Sequence, residues 1–153
     1  MKKLILGLFL ILGAVSFTMP NFINTTKLQK AGYTIMEDSE NILTVAGADI
    51  VDGDSILVAS FYLSDMSPKE LSDAIKAEAQ QQDAKFVASF DNNRAYVNEY
   101  KADKFYMYII VPKNQKVKNY SVLATYHYVN RLTKSTVDRS VNFILEEIDS
   151  SIK

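Results

Sequence analysis

The chain has 153 residues, 48% of them hydrophobic, with no cysteine, a single histidine and a formal net charge of −1. These values exclude a disulfide-stapled fold, thiolate zinc, thiol catalysis and multi-histidine metal centres. The balanced charge leaves no basic tract suited to nucleic acid.

Lys2 and Lys3 precede an apolar core, Leu4 to Leu12, and small residues follow at Ala14 and Ser16. That order is the pattern of a secretory signal peptide with cleavage after Ser16. The apolar run reaches Phe17 and covers about 14 residues, short of the roughly 20 that a membrane-spanning helix needs. Residues 1–16 are therefore expected to be removed, leaving a soluble exported chain with no stable membrane anchor, periplasmic or extracellular. Loss of two lysines moves the formal charge of that chain to −3.

Residues 17–31 read as a polar lead-in, and 32–153 as one domain. Tyr33 to Met36 is a candidate first strand, closed by the turn-like Glu37 to Asn41. Ile42 to Val51 and Ser55 to Leu63 flank Asp52-Gly53-Asp54, which predicts a hairpin with a tight type I′ turn. Gly47 inside the first run suggests a bulge or bend. Asp49, Asp52 and Asp54 lack the spacing of an EF-hand calcium loop and read as a solvated turn.

Ser67, Pro68 and Glu70 predict a helix start with a capping box, and Leu71, Ala74 and Ile75 give it one apolar face. Lys85 to Phe90 and Arg94 to Tyr100 form a second hairpin across Asp91-Asn92-Asn93. Phe105 to Pro112, FYMYIIVP, is a continuous apolar run of strand length, which points to the central strand with both faces covered. Tyr120 to Val129 alternates as a long strand. A closing helix, about Thr136 to Ile152, carries Val137, Val141, Ile144, Leu145, Ile148 and Ile152 at helical period, with Ser135 as its cap and Asp138 in its first turn.

Hairpin-length connections require antiparallel pairing. The expected class is α+β: an antiparallel, meander-like sheet of six or seven strands with two amphipathic helices packed on it. The early hairpin, the Ser67-Pro68-x-Glu70 helix start, the later meander and the closing helix resemble the Mog1/PsbP-like fold, including small bacterial envelope proteins of the DcrB type. The resemblance covers most of Tyr33 to Ile152. It implies an accessory, assembly or chaperone-like role, and it carries over no functional residue. A cystatin- or NTF2-like cone is the rival architecture, but those place their long helix early.

No catalytic motif is visible. His127 lies mid-strand without a G-x-S-x-G elbow to present a serine, and there is no Gly-rich phosphate loop. No catalytic, cofactor or metal residue is assigned, and an enzyme is not expected. The unusual feature is nine tyrosines without a tryptophan. Tyr96, Tyr100, Tyr106, Tyr108, Tyr120, Tyr126 and Tyr128 fall in three consecutive strands and form a candidate partner or ligand surface, because tyrosine joins apolar area to a polar tip. The alternative is that they pack under a helix. The expected function is a non-enzymatic envelope accessory protein that contacts a protein partner through this sheet. A small-molecule or lipid carrier with a cavity between sheet and helix is the second reading.

Overall fold

The computed structural model describes residues 22–50, 53, 55–79 and 84–153. The expected signal segment and its cleavage site lie outside them, as do Asp52 and Asp54.

Seven strands form one antiparallel sheet: β1 (Thr34–Asp38), β2 (Ile42–Ala48), β3 (Ser55–Leu63), β4 (Lys85–Asp91), β5 (Ala95–Lys101), β6 (Tyr106–Pro112) and β7 (Tyr120–Tyr128). Three helices accompany them: α1 (Thr25–Lys30), α2 (Pro68–Ala79) and α3 (Lys134–Ser151). The spatial order is β1-β2-β3-β7-β6-β5-β4. Two meanders, β1 to β3 and β4 to β7, are thus sewn together along β3 and β7. Nine residue pairs from Ser55↔Tyr128 to Leu63↔Tyr120 make that seam the full length of both strands.

The FYMYIIVP run supplies β6, an inner strand buried along most of its length. The middle of the sheet is β7 instead. Position in the order follows from the seam with β3, which nothing in the local sequence of either strand encodes.

Each face has its own core. Val137, Val141, Ile144, Leu145 and Ile148 of α3 pack on the face carrying Leu57, Phe61, Val97, Tyr108, Ile110, Tyr120 and Tyr126. Leu71, Ile75 and Ala79 of α2 cover the other face at Tyr100, Met107, Ile109 and Val111.

The helix ends follow capping chemistry. Ser67 donates its backbone N–H to Glu70 Oε2 at 2.8 Å, and its Oγ accepts from the Glu70 N–H at 3.3 Å, so the expected capping box is formed. In α3 the cap is Thr133, whose side chain accepts from the Thr136 N–H, and the expected Ser135 is already inside the helix. The helix begins earlier because the Leu132 N–H donates to the Tyr108 hydroxyl at 2.8 Å, which pins the preceding loop to the sheet. The lead-in contains α1, which composition alone did not reveal. Asn24 caps it by accepting from the Lys27 N–H. Its end is a Schellman motif: Gly32 sits at φ +95°, its N–H donates to Gln29 O, and the Tyr33 N–H donates to Leu28 O.

Two turn expectations change. β2 stops at Ala48 and β3 starts at Ser55, so their connection spans 49–54 rather than a two-residue turn. Asp49 adopts a left-handed φ of 56°. Gly47 keeps register opposite Leu57, with neither bulge nor bend. Its missing side chain leaves the place that Ile50 folds back to fill. The register shifts lie elsewhere, between Ile35 and Glu37 in β1 and between Phe86 and Ala88 in β4. Those are the two edge strands, where a bulge discourages pairing with another sheet.

Candidate partner-binding surface

Strand alternation divides the seven tyrosines between the two faces. Tyr96 and Tyr100 associate with the α2 cluster; Tyr106, Tyr108, Tyr120, Tyr126 and Tyr128 associate with the α3 cluster. Tyr100, Tyr108, Tyr120 and Tyr126 are buried, so these four are core residues and cannot meet a partner. Burial pushes the Tyr100 and Tyr108 hydroxyls up to about 12, and raises Tyr120 as well. Tyr96, Tyr106 and Tyr128 are half-buried. Lys113 Nζ lies 5.0 Å from the ring centroid of Tyr96, on the opposite face from the other two.

Tyr106 and Tyr128 are register partners, and they belong to a longer row. The register runs Lys85↔Lys101, Lys101↔Tyr106, Tyr106↔Tyr128 and Tyr128↔Ser55, across five strands. Directly paired residues of antiparallel strands project to the same face. This row lies at one end of the α3 face. Lys101 Nζ stands 4.3 Å from the Tyr106 ring centroid, a cation–π contact. Val129, 56% exposed, follows Tyr128.

A second row, Glu99↔Tyr108↔Tyr126, lies two residues deeper along the same strands. Glu99 has no exposed surface. Its carboxylate accepts from Arg131 Nε and from a terminal guanidinium nitrogen, both at 3.0 Å, while the Tyr108 hydroxyl donates to it at 3.2 Å. Arg131 comes from the β7–α3 loop and remains 55% exposed at its side chain. The Glu99 hydrogen bonds hold its guanidinium above the ordinary range. The cluster fastens loop to sheet and leaves one flank of the guanidinium beside the tyrosine row. Sequence reading missed it, since a glutamate in an alternating strand gives no sign of facing inward. Its only local mark was a carboxylate in register with tyrosines.

The other polar places are committed internally. A cleft of about 550 Å³ lies between the 91–94 turn and Lys134, Asp138 and Asn142 of α3. Its buried Asn92 accepts from the Arg94 and Ala95 N–H groups and donates to Asp138 Oδ1 at 3.0 Å. Hydrogen bonds from Lys134 and Asn92 hold the Asp138 carboxyl below its usual range. Where the last turn of α3 meets Tyr120 and Val122, the cavity is only about 20 Å³. His127 projects to the opposite face, with its ring 5.2 Å from that of Phe105, and burial pushes it down to about 4. Among the described residues, no group of three or more acidic or histidine side chains is placed to hold a metal. Among them, too, no helix is long and apolar enough to cross a membrane.

No protein-family model matches this chain, and no curated protein matches it at a significant level.

Proposed function

We propose that the chain is an exported, non-enzymatic accessory protein of the cell envelope that engages a protein partner through Tyr106 and Tyr128, flanked by Lys101 and Arg131. One observation carries this reading: the two half-buried tyrosines lie side by side on a second row that the Glu99–Arg131 pair locks in place. A rigid aromatic surface with a basic rim suits protein recognition, where tyrosine and arginine are the favoured anchors. Export rests on the pattern of residues 1–16, and the accessory role is in keeping with the resemblance to Mog1/PsbP-like envelope proteins.

Catalysis gains less support. Glu99 is enclosed and fully engaged by Arg131 and Tyr108, and half-buried His127 lies against Phe105 with its Nε2 enclosed. Carriage of a lipid also gains less support: among the described residues, the cavity under the last turn of α3 has room for about one water, and the larger cleft at the 91–94 turn is lined by polar and charged side chains.

A photo-crosslinking amino acid in place of Tyr106, expressed in the native host, tests the proposal. A single protein adduct is expected, and it should be absent when the same group replaces exposed Lys69 on α2. Identical adducts from both positions, or none from Tyr106, contradict it.

A further inference from the structure

The first row of the sheet sets two positive charges side by side. Lys85 and Lys101 are direct cross-strand partners, an arrangement that like charges disfavour. Among the described residues neither has a carboxylate within salt-bridge distance, whereas Lys69, Lys116 and Lys134 each have one. Arg131 lies at the same end, already paired with Glu99. Asp103 and Lys104 are both exposed in the β5–β6 turn and together add no net charge. A surface that keeps two lysines adjacent, with no carboxylate partner among the described residues, beside two tyrosines, is complementary to negative charge at one end and to apolar area at the other.

We infer that the occupant of this row is an acidic segment of the partner protein. The inference rests on the partner-binding reading above and specifies the partner's chemistry. The segment lies across the strands, with carboxylates over Lys85 and Lys101 and an apolar or aromatic side chain over Tyr106 and Tyr128. From β4 to β7 there are three inter-strand spacings, about 14 Å, which an extended peptide covers in about four residues. The recognised unit is therefore short: two acidic residues, a spacer and an apolar anchor. Charge supplies orientation and encounter rate, and the tyrosines supply buried area.

The test is NMR titration of the full ¹⁵N-labelled chain with an amide-capped pentapeptide that has two glutamates at one end, a glycine, then phenylalanine and leucine. The expected shifts centre on Lys85, Lys101, Tyr106, Tyr128 and Arg131. Binding should weaken roughly tenfold in the K85E/K101E double variant and on raising the salt concentration. A peptide carrying lysines in place of the glutamates should prefer that variant, a reversal that a folding defect cannot produce. Shifts spread over Lys69, Lys116 and Lys134, or binding indifferent to the charge reversal, overturn the inference. So does concentration-dependent self-association that the K85E/K101E change abolishes, since the acidic 37–40 turn of a second copy would then be the occupant. A Tyr106 crosslink without any peptide response removes only the acidic assignment and leaves the docking surface. Failure of both experiments removes the surface as well.

Discussion

Glu99 and Arg131 form one ion pair in two different environments, and the difference predicts which partner tolerates loss of the other. Arg131, 55% exposed, can turn toward water when its carboxylate is removed. Glu99, with no exposure, has nowhere to go. Leaving a buried charge unpaired is the costly case. Arg131→Met should therefore lower the urea midpoint clearly more than Glu99→Gln, as read by equilibrium unfolding of the two variants side by side. Equal losses would mean that the pair is as wet as a surface bridge. His127 gives a second prediction at this scale. Burial depresses its folded pKa to about 4 from an ordinary 6.5. Between those values the unfolded chain takes up a proton that the folded chain refuses, so stability is full above pH 6.5 and falls as the pH drops toward 4. The contribution at stake is about 3 kcal/mol. Replacing His127 with Phe should flatten the pH dependence of unfolding across that window, and an unchanged slope would contradict the assignment.

At the scale of elements, the sequence was most legible where a local rule decides the outcome. Ser67-Pro68-x-Glu70 marked the start of α2, and the apolar period of Val137 to Ile148 marked α3. It was least legible where a tertiary contact overrides a local one. Thr133 rather than Ser135 caps α3 because Tyr108, remote in the chain, holds Leu132. Gly47 looked like a bulge signal, yet its role is to leave space for Ile50. The α1 helix had one readable mark, Gly32, which is required by a positive φ after a helix end. Ser67→Ala and Gly32→Ala should each cost about 1 kcal/mol, the first through loss of a cap and the second through left-handed strain. Thermal or urea denaturation measures both, and a neutral Gly32→Ala would mean that the Schellman turn relaxes without consequence.

For the whole molecule, the class and the antiparallel pairing followed from hairpin-length connections, while the order of strands did not. The closure of β3 on β7 joins the two meanders and decides which strand lies in the middle. It also decides the fate of the tyrosines. Their period-two spacing was visible, but nothing local says that α3 covers Tyr108, Tyr120 and Tyr126 and leaves Tyr106 and Tyr128 at its margin. Sequence alone placed the seven tyrosines in three strands, and burial reduced those candidates to three half-buried ones on two faces. Export is tested independently by the intact mass of the chain recovered from its host. Cleavage predicts a mass beginning at Phe17, and a mass that includes residues 1–16 contradicts it. The most direct test of the central claim is the Tyr106→Ser/Tyr128→Ser double variant, compared with the native chain for both folding and partner capture. We expect a cooperative unfolding transition close to the native one and loss of the crosslinked partner, with the crosslinking group placed at exposed Lys104 of the adjacent β5–β6 turn in both proteins. Retention of the same adduct in the double variant would show that the tyrosine row is not the binding surface.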